Sequence, residues 1–121
     1  METTRVLLVD DEEDLVFTLA ERLQLRGMHA EAATSGEAAL ERVRNSTYDV
    51  AVIDVKMPGM DGLETIKRIH EMFPALPVII LTGRTSREDN LACMREGAFV
   101  YLMKPIDIEE LVKIITKATQ R

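Results

Sequence analysis

With 121 residues, 46% of them hydrophobic and 30% charged, the chain has the size and composition of one globular domain, able to bury about two thirds of its unfolded surface. A formal net charge of −6 argues against a nucleic-acid footprint, which needs Lys and Arg in excess. The lone Cys93 forbids an intramolecular disulfide, and no apolar run approaches the roughly 18 residues that span a bilayer; nor does the N-terminus carry a signal-peptide pattern. The chain therefore reads as one cytoplasmic domain over residues 1–121, bound directly to neither nucleic acid nor membrane.

Short apolar runs alternate with longer segments of helical period along the whole chain. Arg5 to Val9 forms the first predicted strand. A helix follows, with Leu15, Val16, Leu19 and Leu23 as its buried stripe and Gly27 as its stop. Met28 to Ala33 is the second strand, and Thr34 to Glu37 reads as a capping box opening the second helix. Val50 to Ile53 is continuously apolar, as a parallel strand covered on both faces should be, and Asp61 caps the helix after it. Val78 to Leu81 repeats the pattern of the third strand. It leads to a fourth helix of about Ser86 to Glu96, with a second capping box at Thr85 to Glu88 and a stop at Gly97. Phe99 to Leu102 is the fifth strand, and Asp107 caps a last helix whose buried stripe is Ile108, Leu111, Val112 and Ile115.

Five strand-helix units of this length predict an α/β fold, a doubly wound five-stranded parallel sheet of flavodoxin-like (βα)5 type with strand order 2-1-3-4-5. In such sheets the carboxyl ends of the strands converge on one crevice. At those ends stand Asp10 and Asp11, Asp54, Thr82, and Lys104 followed by Pro105, groups spread from position 10 to position 104. Three carboxylates meeting in one crevice repel one another unless a cation intervenes, and oxygen ligands with room for water suit Mg²⁺, with Mn²⁺ able to substitute. Asp54, at the end of an apolar strand, is the most enclosed carboxylate and can attack a phosphoryl group as a nucleophile. Lys104 and Thr82 can then hold the added oxygens.

Taken singly, each residue has a plainer reading. Asp10 and Asp11, with Glu12, Glu13 and Asp14, could serve a helix dipole; Asp54 could end a strand in a turn; Lys104 could be a solvated loop lysine. Their joint placement at strand ends outweighs these. Met57 and Met60 are expected to pack around the loop after Asp54, Cys93 to fill space inside a helix, and His29 and His70 to be structural or solvated.

The motifs Leu7-Leu8-Val9-Asp10-Asp11, Asp54-Val55-Lys56-Met57-Pro58-Gly59-Met60-Asp61-Gly62, Leu81-Thr82-Gly83 and Tyr101-Leu102-Met103-Lys104-Pro105 resemble those of the CheY-like receiver domains of bacterial response regulators. The resemblance covers essentially the whole chain. It implies a two-component switch in which Asp54 accepts a phosphoryl group from a histidine kinase or phosphotransfer protein. Asp10, Asp11, Asp54 and the backbone carbonyl of Lys56 would organise Mg²⁺, while Thr82 and Lys104 hold the phosphoryl group. It further implies a cis Lys104–Pro105 bond, a Thr82–Tyr101 switch, and a partner surface on the fourth helix, fifth strand and last helix. An effector protein or attached output domain would read that surface, with the chain a monomer or a phosphorylation-dependent dimer. The exposed first helix would be the kinase contact. Such a domain is not a turnover enzyme, although it promotes its own phosphorylation and autodephosphorylation.

Two basic positions, Lys56 and Arg84, should flank the site's rim and slow loss of the phosphoryl group. A haloacid-dehalogenase-type phosphatase is disfavoured, because Lys56 stands where that chemistry needs a second aspartate. A nucleotide or flavin carrier lacks its phosphate loop and has only 4% aromatic residues to work with. A degenerate receiver that binds partners without phosphorylation is opposed by the complete acidic set.

Overall fold

The structure, a computed structural model, describes residues 3–57, 59–83 and 87–120. Ten elements alternate: β1 (Arg5–Val9), α1 (Glu13–Leu25), β2 (His29–Ala33), α2 (Gly36–Asn45), β3 (Val50–Asp54), α3 (Gly62–Met72), β4 (Val78–Thr82), α4 (Arg87–Arg95), β5 (Val100–Met103) and α5 (Ile108–Thr119). The five strands pair in parallel in the order β2-β1-β3-β4-β5, the predicted topology. β3 lies at the centre, flanked by β1 and β4.

Strand side chains alternate between faces, and the two faces bury separate cores. Leu7, Val9, Ala51, Ile53, Val78 and Ile80 point toward α2, α3 and α4, where Leu40, Val43, Ile66, Ile69 and Cys93 meet them. Val6, Leu8, Val50, Val52, Ile79 and Leu81 point the other way, onto Val16, Leu19 and Leu23 of α1 and Leu111 and Ile115 of α5. Every residue of β3 and β4 is buried, the consequence of a parallel strand covered on both sides. Cys93 packs as the small apolar residue it was expected to be, and Met57 and Met60 both join the core under α2 and α3.

The differences from expectation have local causes. β2 begins at His29 rather than Met28 because the Met28 N–H is spent on α1, donating to the Leu23 carbonyl at 3.2 Å while Gly27 N–H donates to Gln24. This paired closure needs a left-handed residue, and Gly27 supplies it at φ 84°. Gly97, at φ 100°, closes α4 in the same way through Ala98 N–H to Cys93; β5 starts at Val100 rather than Phe99, although the Phe99 N–H already donates to the Val78 carbonyl at 2.7 Å. The N-cap of α2 is Ser35 and not Thr34: the Ser35 hydroxyl accepts from Ala38 N–H. Glu37, expected to complete a box with Thr34, instead accepts from Met60 N–H of the loop after β3. Asp61 and Asp107 cap α3 and α5 as expected, accepting from Glu64 and Glu110 N–H. Ser86 and the Thr85 capping box lie outside the described residues.

Candidate functional site

The carboxyl edge of the sheet gathers Asp10, Asp54, Thr82 and Lys104 from four different strand ends. β3 runs one residue past its apolar stretch, so Asp54 is held in the sheet opposite Leu81. β4 likewise includes Thr82, opposite Met103. Lys104 N–H donates to the Thr82 carbonyl at 2.7 Å, which places the lysine stem directly over the end of β4. The Lys104–Pro105 bond is cis, as the resemblance implied. Gly83 lies beside the stem, and a Cβ at this position would make an ordinary van der Waals contact with Lys104 Cδ at 3.7 Å.

The Lys104 ammonium donates to three carboxylates: Asp10 Oδ2 at 2.7 Å, Glu12 Oε1 at 3.2 Å and Asp54 Oδ2 at 3.5 Å. Asp10 and Asp54 are buried, at 4% and 5% exposure. Backbone donors hold both in place, Glu12 N–H on Asp10 Oδ1 and Lys56 N–H on Asp54 Oδ1. Below them Leu8, Val16, Val52 and Leu81 line an apolar floor around a void of about 10 Å³, too small for more than one water.

That floor explains the electrostatics. Burial, then the neighbouring Asp10 charge, pushes the Asp54 carboxyl up to about 6 against the opposing pull of Lys104 and the Lys56 N–H. For Lys104 burial alone would lower the ammonium's pKa. The hydrogen bond to Asp10 and the charges of Asp54 and Asp10 outweigh it and raise the group above its usual value.

Carboxylate oxygens of Asp10, Glu12 and Asp54 all lie within 4.8 Å of one another, so this acidic group could hold a metal ion. An octahedral hard cation with ligands at about 2.1 Å spaces neighbouring oxygens by about 3 Å and opposite ones by about 4.2 Å. The donor set is all oxygen, the chemistry such a cation takes, and its atoms would draw closer to reach this spacing. Asp11 is exposed and stands outside this group, while Glu12, read from the sequence as a helix-dipole acid, stands within it. Lys56 is exposed at the rim; Arg84 lies outside the described residues. Tyr101 points outward on β5 at 39% exposure, and Thr82 is fully buried.

Two glycines prove more important than the sequence revealed. The N-terminus of α3 rests on the backbone of the phosphoacceptor candidate itself, and a Cβ on Gly62 would come within 2.5 Å of the Asp54 carbonyl and Val55 Cα. Gly36 allows α2 the same closeness to the loop after β3 and the first turn of α3, where a Cβ would meet the Met60 carbonyl at 2.9 Å and collide with Thr65 Oγ1. A residue without a side chain at a helix start, beside a functional loop, was the available signal.

A parallel sheet of order 2-1-3-4-5 with a lysine held among acidic side chains at its carboxyl edge defines a doubly wound α/β domain with a charged site at its strand ends. The family model of the response regulator receiver domain matches residues 6–116. The chain belongs to this family, in which phosphorylation-dependent switching is the general function of the domain. It is 37% identical over 111 residues to the DNA-binding transcriptional regulator NtrC of Klebsiella pneumoniae, an alignment covering 92% of this chain and 24% of that protein. It is 38% identical over 113 residues to the transcriptional regulatory protein ZraR of Escherichia coli K12, covering 93% and 26%. The chain thus spans about a quarter of the length of these curated relatives. Among solved structures, the CheY-like receiver domain protein of Methanospirillum hungatei superposes with a TM-score of 0.94 at 28% identity, covering 98% of this chain and 94% of that one. Among the described residues, no helix is long and apolar enough to cross a membrane.

Proposed function

We propose that residues 1–121 act as one phosphorylatable switch in the cytoplasm, with Asp54 as phosphoacceptor. The observation that carries this reading is the buried Asp54 carboxylate at the end of β3, facing the Lys104 ammonium at 3.5 Å. An Asp54 oxygen attacks the phosphorus of a phosphohistidine on a histidine kinase or phosphotransfer protein. The O–P bond forms as the P–N bond breaks, and the departing imidazole takes up a proton. Lys104, released from its carboxylates, pairs with one phosphoryl oxygen, and Thr82 donates its hydroxyl to another. Mg²⁺, with Mn²⁺ able to substitute, supplies neutralisation of charge during transfer. Asp10, Glu12 and Asp54 are positioned to hold it, with Asp11 and the Lys56 carbonyl added by resemblance. The domain promotes its own phosphorylation and autodephosphorylation without being a turnover enzyme.

Signal output follows from the same move. Drawing Thr82 toward the phosphoryl group vacates space that Tyr101 can enter from its outward position, biasing a two-state equilibrium. The face so altered comprises α4, β5 and α5, where Leu91, Tyr101 and Met103 are exposed. An effector protein or attached output domain reads it, and phosphorylation-dependent dimerisation of an otherwise monomeric chain is one way to do so. Nucleic acid is not contacted directly by this acidic domain. The alternative, a receiver that works without phosphorylation, is disfavoured by the meeting of Asp10, Asp54 and Lys104 at one edge of the sheet.

The test is intact mass after incubation with acetyl phosphate and Mg²⁺. Wild type should gain one phosphoryl group, and Asp54→Asn none. Equal gain by the mutant, or failure of wild type to take up either phosphoryl or beryllofluoride, would overturn the assignment.

A further inference from the structure

Among the helices whose N-caps are described, α2, α3 and α5 are capped by the side chains of Ser35, Asp61 and Asp107. α1 is different. Its N-cap is Glu12, a residue type that seldom caps, and the Glu12 side chain makes no cap hydrogen bond. The carboxylate is turned instead over the mouth of the crevice, where Oε1 accepts from Lys104 at 3.2 Å. It also stands within 4.8 Å of the Asp10 and Asp54 oxygens. A residue that breaks a local rule while reaching a functional site marks a compromise made for that site. At 64% side-chain exposure, against 5% for Asp10 and 6% for Asp54, Glu12 is also the member of the trio with freedom to move.

Resting on the Mg²⁺ reading above, we propose that Glu12 is a positioning residue shared between two cations. Without a divalent ion it holds the Lys104 ammonium on the α1 side of the crevice, nearer Asp10 and itself than Asp54. With the ion present, the Glu12 carboxylate turns to the stronger charge and gives up the lysine, which becomes available to the phosphoryl group. Glu12 thereby couples metal binding to the release of Lys104. The neighbouring Glu13, on the same helix turn, is exposed and outside the trio, so it is the natural control for a bare change of net charge.

The experiment is calorimetric titration with Mg²⁺ alone, without any phosphodonor, on wild type, Glu12→Gln, Glu13→Gln, Lys104→Met and the double variant Glu12→Gln/Lys104→Met. Removing one unit charge a few ångströms from a divalent ion should weaken Mg²⁺ about tenfold at low ionic strength, whereas Glu13→Gln should change affinity less than about twofold. Because Glu12 must abandon Lys104 to face the ion, the loss caused by Glu12→Gln should be larger in the Lys104→Met background than in wild type. Equal losses in both backgrounds, or equal effects of Glu12→Gln and Glu13→Gln, overturn the sharing. A wild type that binds no Mg²⁺ overturns the site reading as well, which separates the two failures. Should Lys104→Met not fold, the Lys104 Cε resonance gives the same decision. It should shift on Mg²⁺ addition in wild type and shift less in Glu12→Gln; a resonance unmoved by saturating Mg²⁺ refutes the proposal.

Discussion

Replacing Asp54 with asparagine should stabilise the cation-free protein, and by an amount that depends on pH. The Asp54 carboxyl titrates at about 6 in the folded chain against 3.8 for an unperturbed aspartate, so between these values the folded state binds the extra proton. Stability therefore falls as pH rises through the window from about 4 to 6, and the penalty is fully present at pH 7. The whole shift corresponds to about 3 kcal/mol as an upper limit, and relaxation of the neighbouring charged groups reduces it to roughly 1–2 kcal/mol. Asparagine has nearly the same shape and no charge to desolvate. It gives up only the longest of the three Lys104 contacts, 3.5 Å, while those to Asp10 and Glu12 at 2.7 and 3.2 Å remain. Urea unfolding in chelator should show the variant more stable than wild type by roughly 1–2 kcal/mol at pH 7.5 and equal to it near pH 4. Mg²⁺ should reverse the order, since saturation at a hundred times Kd adds about 2.7 kcal/mol to the wild type and less to a site short of one carboxylate. Parallel stability curves from pH 4 to 7.5 would refute the account of Asp54 as a carboxylate held under electrostatic strain by burial and Asp10.

Three further outcomes are expected. Gly62→Ala forces a methyl group into the Asp54 carbonyl and Val55 Cα and should cost about 2–3 kcal/mol in denaturant midpoint analysis, with slower phosphorylation by acetyl phosphate; a cost below about 0.5 kcal/mol would mean α3 shifts freely. Lys56→Ala removes a cation from the rim, so loss of the phosphoryl group, followed by intact mass against time, should accelerate. An unchanged lifetime discards the proposed protection by the rim. Structures with and without beryllofluoride should show Tyr101 leaving its outward, 39% exposed position, and an identical rotamer in both removes it from the switch.

The parts of this molecule that were readable in advance are those decided within a few residues of themselves. The two wholly buried strands β3 and β4 showed as apolar runs, and Asp61 and Asp107 announced their helices because an aspartate before a helical stripe has one good use. The carboxyl-edge residues were legible for a different reason: topology alone brings strand ends together, so Asp10, Asp54, Thr82 and Lys104 could be grouped without knowing a single distance. The boundary at Phe99 is off by one residue at a strand end, where its N–H already donates to the Val78 carbonyl, and the one at Met28 has a local cause: Gly27 closes α1 with its own N–H and that of Met28. Period and composition do not reveal that hand-over.

Glu12 and Glu37 escaped for a deeper reason. Each is an acid at the start of a helix, where a dipole interaction or half of a capping box is sufficient local explanation, and each is used instead for a contact to a distant segment of the chain. Glu12 reaches Lys104, 92 positions away, and Glu37 reaches Met60 N–H, 23 positions away. Both helices begin at the carboxyl edge of the sheet, because parallel connections leave every helix N-terminus on that side. Acids placed there for helix stability are therefore already aimed at the site. One change of rotamer takes such a side chain from the dipole to the crevice, and no pattern in the local sequence records which of the two it serves. A neutral substitution separates them: Glu12→Gln should leave the helix content of α1 and the unfolding midpoint nearly unchanged while weakening Mg²⁺. Loss of helix with unaltered metal affinity would return Glu12 to the dipole role that its neighbours Glu13 and Asp14 suffice to fill.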